Sequence, residues 1–250
     1  VSDESLRLLK QAVDISAATD GAFDVTFATL SGLWRVGSDP FVPPSGKRVQ
    51  ELLQYMGADK ILLSLQKKSV RFKNRKTKIG LGGIAKGYAI LRAIEVLRAH
   101  GITKAIVDAG GDVQVLGSRD GSPWRVGLIH PRTKNIIAVL ALEPGQSVAT
   151  SGDYERFSMY KGRRYHHIID PRTGFPAEGM ASVSVLCSDP VAADAYATAF
   201  FVMGMERARG ILSQRKDLQA IIIDNNMKIY VSKGLKGQVT WNGNIGIAWL

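Results

Sequence analysis

The sequence predicts an α+β fold, one mixed domain spanning residues 1–250 with helices packed on mainly antiparallel strands. Two stretches, 4–18 and 84–101, repeat apolar side chains at helical spacing. From residue 104 to 187 the chain breaks instead into short β-type runs separated by Gly, Pro, Asn and Asp. No fixed-period repeat or low-complexity linker divides it, so one compact domain is expected rather than two.

The elements follow in order. Leu6, Leu9 and Val13 share one face of the first helix, which "TDGAFD" ends. A short helix covers 47–56, after the irregular "GSDPFVPPSGK". "KILLSL" and "SVRFK" form a strand pair. The helix over 84–101 aligns Ile90, Ile94 and Leu97 and stops at Gly101. "KAIVDAGGDVQVLG", "WRVGLIH", "IIAVLALE", "YHHIID" and "ASVSVLC" are strands, 190–214 is helical, and "QAIIID" and "KIYVS" close the chain.

Composition bounds the function. At 250 residues and 45% hydrophobic, the chain can bury a sizeable core. A net charge of +11 points to anionic partners: nucleic acid, a membrane surface or a nucleotide. Part of that charge is the run Lys67, Lys68, Arg71, Lys73, Arg75, Lys76 and Lys78 around the strand pair; a solvated basic face is the alternative. The single cysteine, Cys187, excludes an intramolecular disulfide and a cysteine-based zinc site. No run of 18 apolar residues occurs and "VSDESLRLLK" lacks signal-peptide regions, so a soluble chain is expected.

In "SDPVAADAYATAFFVMG", Asp189 and Pro190 make an N-cap and first-turn pair. Asp194 then sits inside the apolar helix with Thr198 four residues on, so both share a face. A carboxylate and a hydroxyl so stacked offer magnesium two hard oxygens. The alternative stays open that Asp194 is exposed or hydrogen-bonded and Thr198 merely packs. In "KIGLGGIAKG", glycines at 80, 82, 83 and 87 let backbone approach a ligand at a helix start, and Lys86 adds positive charge. The segment matches neither a phosphate-loop motif nor GxGxxG after a strand. "DAGGDVQVLG" reads as a tight strand connection, and Thr150 and Ser151 of "VATSGDYERF" as either a ligand contact or a strand end.

His166 and His167 of the expected "YHHIID" strand must face opposite ways, so one is structural. His100 and His130 have no ligand-like spacing, which argues against zinc.

The motifs "TDGAFDVT", "GLGGIAKGYA", "AGGD", "ATSGDYERF", "HHIIDPRTGFPA" and "AADAYATAFFVMG", in this order, resemble the ApbE family, the FAD:protein FMN transferases. The resemblance runs through nearly the whole chain. It implies magnesium and FAD, and transfer of FMN to a threonine or serine hydroxyl of a target protein through a phosphoester, with AMP leaving. It also implies metal ligands at Asp194, Thr198 and the Gly83 carbonyl, and flavin contacts from Ala22, Phe23, Asp24, the turn Gly80, Gly82, Gly83 and Lys86, and the strand at His167 and Ile169. Lys86 would support phosphoryl transfer beside Asp194, and His167 is the expected base or orients it. Adenine and ribose contacts are sought in "ATSGD" and "AGGD".

Two departures stand out. The family usually has an aspartate where this chain has Gly80, and members normally carry a segment ahead of residue 1 that is expected to be missing here. The family implies the extracytoplasmic side of a bacterial inner membrane: the periplasm, a lipid anchor, a target in a membrane redox complex, and peripheral membrane contact. Competing expectations are an FAD carrier and an FAD pyrophosphatase that release no protein product. A nucleic-acid binder rests on charge alone and lacks a recognition helix or stacking platform, so no nucleic acid is expected.

Overall fold

The computed structural model describes residues 1–250. Its contacts divide the chain into two compact units, Val1–Gly83 with Glu155–Glu178, and Ile84–Tyr154 with Gly179–Leu250. The first begins with α1 (Asp3–Ala18), α2 (Ala28–Ser31), α3 (Gly46–Leu53), β1 (Ile61–Ser64) and β2 (Ser69–Phe72). The chain enters the second through α4 (Ala85–Ala99), β3 (Ala105–Ala109), β4 (Asp112–Leu116), β5 (Trp124–Ile129), β6 (Ile136–Leu142) and β7 (Ser147–Gly152). It returns to the first for β8 (Phe157–Tyr160) and β9 (Arg163–His166). It ends in the second with β10 (Met180–Cys187), α5 (Pro190–Met203), α6 (Met205–Gln214), β11 (Gln219–Asp224), β12 (Ile229–Val231), β13 (Val239–Trp241) and β14 (Ile247–Trp249). The mixed α/β architecture with antiparallel-dominated sheets is the one expected.

In the first unit, Ser2 caps α1 by accepting the Ser5 amide at 3.1 Å, and the stripe Leu6, Leu9, Ala12 and Ile15 is buried. The "GAFD" turn after it is locked by Asp24, whose Oδ1 accepts both the Thr26 amide and the Thr26 hydroxyl at 2.7 Å. Trp34 anchors the core of this unit, packing edge-on to Phe175 among Leu30, Phe41, Val49 and Ile169. Its indole donates to the Gly174 carbonyl at 2.8 Å, tying the helical segments to the "DPRTG" turn. Gly174 has a φ of +76°, and a Cβ there would lie 2.5 Å from Val49 Cγ1. Glycine is required on both counts.

The second unit is a layered sandwich. Its seven-stranded sheet runs β14-β12-β11-β10-β7-β4-β3, antiparallel except for the β12–β14 pair. A three-stranded sheet, β13-β6-β5, shares a core with it built from Val113, Val115, Leu140, Leu142, Leu186 and Ile221. Every residue of β10 is buried, as expected of a central strand covered on both faces. Cys187 ends that strand, and burial pushes its thiol up to about 11.

Three expectations need correction, and two strands are additional to those expected. The strand expected through "YHHIID" ends at His166, because the chain bends at His167 and the His166 ring takes the Ile168 amide at 3.3 Å. The helical span 190–214 is two helices, broken at Gly204, whose φ of 78° and ψ of 174° lie outside helical space. "SVATSG" and "FSMY" are strands in their own right. The chain closes not on "KIYVS" but on β13 and β14, three-residue strands too short for an alternation pattern to show.

The helices α4 and α5 meet at Gly87, where a Cβ would stand 2.2 Å from the Pro190 carbonyl oxygen and 2.8 Å from Val191 Cα. Both are main-chain atoms, so no side-chain rearrangement relieves the clash. Gly87→Ala is therefore expected to destabilise the protein by at least about 2 kcal/mol, read as a lower urea midpoint with an unchanged slope.

Candidate active site

The chemistry-bearing residues of the second unit converge where α4 begins. Asp189 caps α5 through its Oδ1, which accepts the Val191 amide at 2.9 Å, and Pro190 takes the first turn. All of α5 is buried except Ala192 and Thr198, and this carries Asp194 into the interior with only 4% of its surface exposed. The Gly87 amide donates to its Oδ2 at 3.0 Å. Burial, and then the charge of Asp112, push the Asp194 carboxyl up to about 7, against the weaker pull of the Gly87 amide and Lys86.

Asp112, at 2% exposure, is the second buried carboxylate. Lys86 Nζ lies 2.9 Å from its Oδ2, and the Thr150 amide donates to its Oδ1 at 3.1 Å. Burial raises its pKa and the Lys86 ammonium opposes the rise. The β3–β4 hairpin aims it: Gly110 and Gly111, at φ +67° and +93°, make the two-residue connection, and Asp112 is the next residue. Around this pair the Thr150 hydroxyl meets Ser184 Oγ at 2.7 Å and Ser151 Oγ meets Thr198 Oγ1 at 3.1 Å. In "ATSGD", Asp153 is held by a two-pronged contact from Arg132, at 2.6 and 2.9 Å.

The sequence singled out Lys86, Asp194 and Thr198, and the second unit brings Lys86 and Asp194 together. It missed Asp112 as more than a turn residue. The signal was a charged side chain opening "DVQVL", a strand every residue of which is buried. Arg132 and Ser184 had no signal at all, since their partners lie 21 and 34 residues away.

In the first unit, Ala22, Phe23 and Asp24 are all buried, and the Asp24 carboxylate is engaged by Thr26. Its pKa is raised by burial, partly offset by the Thr26 bonds. Gly80 belongs to the same layer: its amide donates to the Val25 carbonyl at 2.8 Å. A Cβ on it would approach Ala28 Cβ to 3.0 Å and Phe27 Cζ to 3.2 Å, so the glycine is matched to its neighbours. Gly82 has ordinary room, 3.7 Å from Phe27 Cζ, and Gly83 ends the first of this unit's two chain segments. Ile169 is buried in the Trp34 core. His166 is the structural histidine of the pair, buried, with Nε2 donating to the Ala177 carbonyl at 2.9 Å. His167 is half-buried with Nδ1 3.2 Å from the Arg156 carbonyl, so Nδ1 carries a hydrogen, and in the neutral ring the lone pair falls to Nε2.

No three His, Cys, Asp or Glu side chains gather into a metal cage. What the second unit offers is a buried carboxylate with a hydroxyl one turn away, beside a second carboxylate and one lysine. With both carboxylates ionised, that group is one positive charge short of neutral. Hard oxygen donors and this deficit fit magnesium, which typically takes one or two carboxylates and keeps its remaining positions for water and phosphate oxygens.

Residues 1–222 match the model of the ApbE family. The FAD:protein FMN transferase of Klebsiella pneumoniae is 34% identical over 235 residues, 93% of this chain and 72% of that protein. The crystal structure of the ApbE protein of Thermotoga maritima superposes with a TM-score of 0.89 at 37% identity, over 95% of this chain and 78% of that one. The flavin transferase ApbE of Vibrio cholerae gives 0.84 at 30% identity, over 95% and 77%.

A carboxyl raised by burial is favoured protonated in the folded state. In metal-free protein Asp194 thus adds stability fully below its unfolded pKa near 4, and loses it as pH rises through about 7. The urea midpoint of chelator-treated protein is expected to fall between pH 4 and 8 by more than that of Asp194→Asn. Added magnesium is expected to restore the wild-type midpoint at pH 8 and leave that of the variant where it was.

Proposed function

The chain belongs to the ApbE family, and on that premise we propose that it moves FMN from FAD onto a threonine or serine hydroxyl of a target protein, with magnesium bound. The acceptor oxygen bonds to the phosphorus of the FMN moiety, the pyrophosphate P–O bond breaks, and AMP leaves. The observation that carries this reading is the buried group of Asp194, Asp112 and Lys86 at the start of α4.

Asp194 and Thr198 are the side chains we assign to magnesium, with the Gly83 carbonyl added on family resemblance alone. The ion would spread the charge that gathers on the phosphate oxygens. Lys86, held by Asp112, brings a second positive charge to the same phosphates. Ala22, Phe23, Asp24, Gly80, Gly82, His167 and Ile169 enter as flavin contacts by resemblance, the buried ones through main-chain atoms and shape. Nε2 of His167 is the lone pair suited to take the acceptor hydroxyl proton or to orient the group that does. On family grounds we place the reaction on the extracytoplasmic side of a bacterial inner membrane, with a subunit of a redox complex as target.

Incubation of the protein with FAD, magnesium and an acceptor domain is expected to add the mass of FMN to the acceptor, read by intact mass. Asp194→Ala should abolish that product, and Lys86→Ala should slow it on the order of 100-fold. FAD cleaved to FMN and AMP with no labelled acceptor would establish a pyrophosphatase instead, and retained intact FAD a carrier. His167→Ala keeping the full rate at every pH would remove the histidine from proton transfer.

A further inference from the structure

The strand pair β1–β2 pairs with no other strand, and it lies in a strongly basic segment. Residues 60–78 hold eight Lys and Arg and no Asp or Glu, against a net charge of +11 for the whole chain. Asp59 and Asp3 pair with Lys60, Lys73 and Lys68, and Lys76 lies over the Tyr55 ring. The side chains of Lys67, Arg71, Arg75 and Lys78 form no ion pair. Among these cations the hairpin exposes aliphatic side chains. Leu65, in the turn, is 56% exposed, and Leu62, which faces outward beside its cross-strand neighbour Arg71, is 48% exposed.

Exposed aliphatic side chains with cations beside them, Arg71 next to Leu62 and Lys67 and Lys68 in the turn with Leu65, suit one kind of surface. We propose that this hairpin docks the protein on an anionic lipid bilayer, with Leu62 and Leu65 entering the headgroup region and Lys67, Arg71, Arg75 and Lys78 held over the phosphates. Nucleic acid would be met by cations and several stacking rings, whereas the hairpin exposes one ring, Phe72, beside the two more exposed leucines. A protein partner needs about 800 Å² on each side, more than two strands of four residues present. The proposal is independent of flavin transfer, since no residue of the hairpin belongs to the candidate active site.

The test is sedimentation of the full chain with vesicles of phosphatidylcholine alone or mixed with phosphatidylglycerol, at two salt concentrations. Binding is expected only to the anionic vesicles and to weaken with salt. Replacing Lys67, Arg71 and Arg75 by Gln should lower the partition coefficient on the order of 100-fold. Leu62→Ser with Leu65→Ser should lower it at least about tenfold. A Leu65→Trp variant should show a blue-shifted emission component on anionic vesicles. FMN transfer to a soluble acceptor should be unchanged in all three. Absence of binding, binding indifferent to the hairpin variants, or tighter binding to duplex DNA or polyglutamate than to the vesicles would overturn the proposal.

Discussion

A carboxylate buried in an apolar helix is the constraint around which the second unit is built. Asp194 has 4% of its surface exposed in a helix that, apart from Thr198, is otherwise made of Pro, Ala, Val, Phe, Tyr and Met, and an ion in such surroundings costs several kcal/mol unless it is compensated. The compensation seen is the main-chain amides of Gly87 and Lys86 and the more distant charge of the Lys86 side chain. Gly87 can deliver that amide only because it lacks a side chain, which lets α4 close on the first turn of α5. The closeness of the two helices and the solvation of the charge are thus one requirement.

Asp112 makes that requirement harder rather than easier. It pulls Lys86 toward itself and raises the Asp194 carboxyl further, so the fold holds two buried carboxyls that disfavour each other's ionisation, with one lysine to offset them. Packing alone would have no use for such an arrangement, since aliphatic residues would fill the same volume at lower cost. The arrangement sits in a strand buried throughout and a helix buried at every position but Ala192 and Thr198, and on the proposed function a cation would balance it. Perturbed carboxyls of this kind are how sites announce themselves in otherwise apolar surroundings.

Much of this was legible in the sequence, for identifiable reasons. The helix from Asp3 and the strand pair at 61–72 obey simple periodicities, and Asp189–Pro190 is a cap that no tertiary contact had to override. The i, i+4 spacing of Asp194 and Thr198 is local and so could be read. The partners of Asp112, Asp153 and Trp34 are set by chain segments tens of residues apart, and no local pattern encodes them. The histidine pair divides the same way. Opposed side chains follow from a strand, whereas the bend at His167 depends on the His166 ring capturing an amide two residues ahead.

The placement of Cys187 reaches beyond packing. Its thiol sits at the buried end of β10 with a pKa of about 11. At neutral pH only about one such thiol in ten thousand is ionised, and it is the only one the chain has. Thiolate is the nucleophile that attacks disulfides and peroxides, so the molecule offers oxidants almost nothing to react with at sulfur except its methionines. Thiol–disulfide chemistry therefore has little hold on the fold, a useful indifference for a protein whose proposed substrate is itself a redox cofactor.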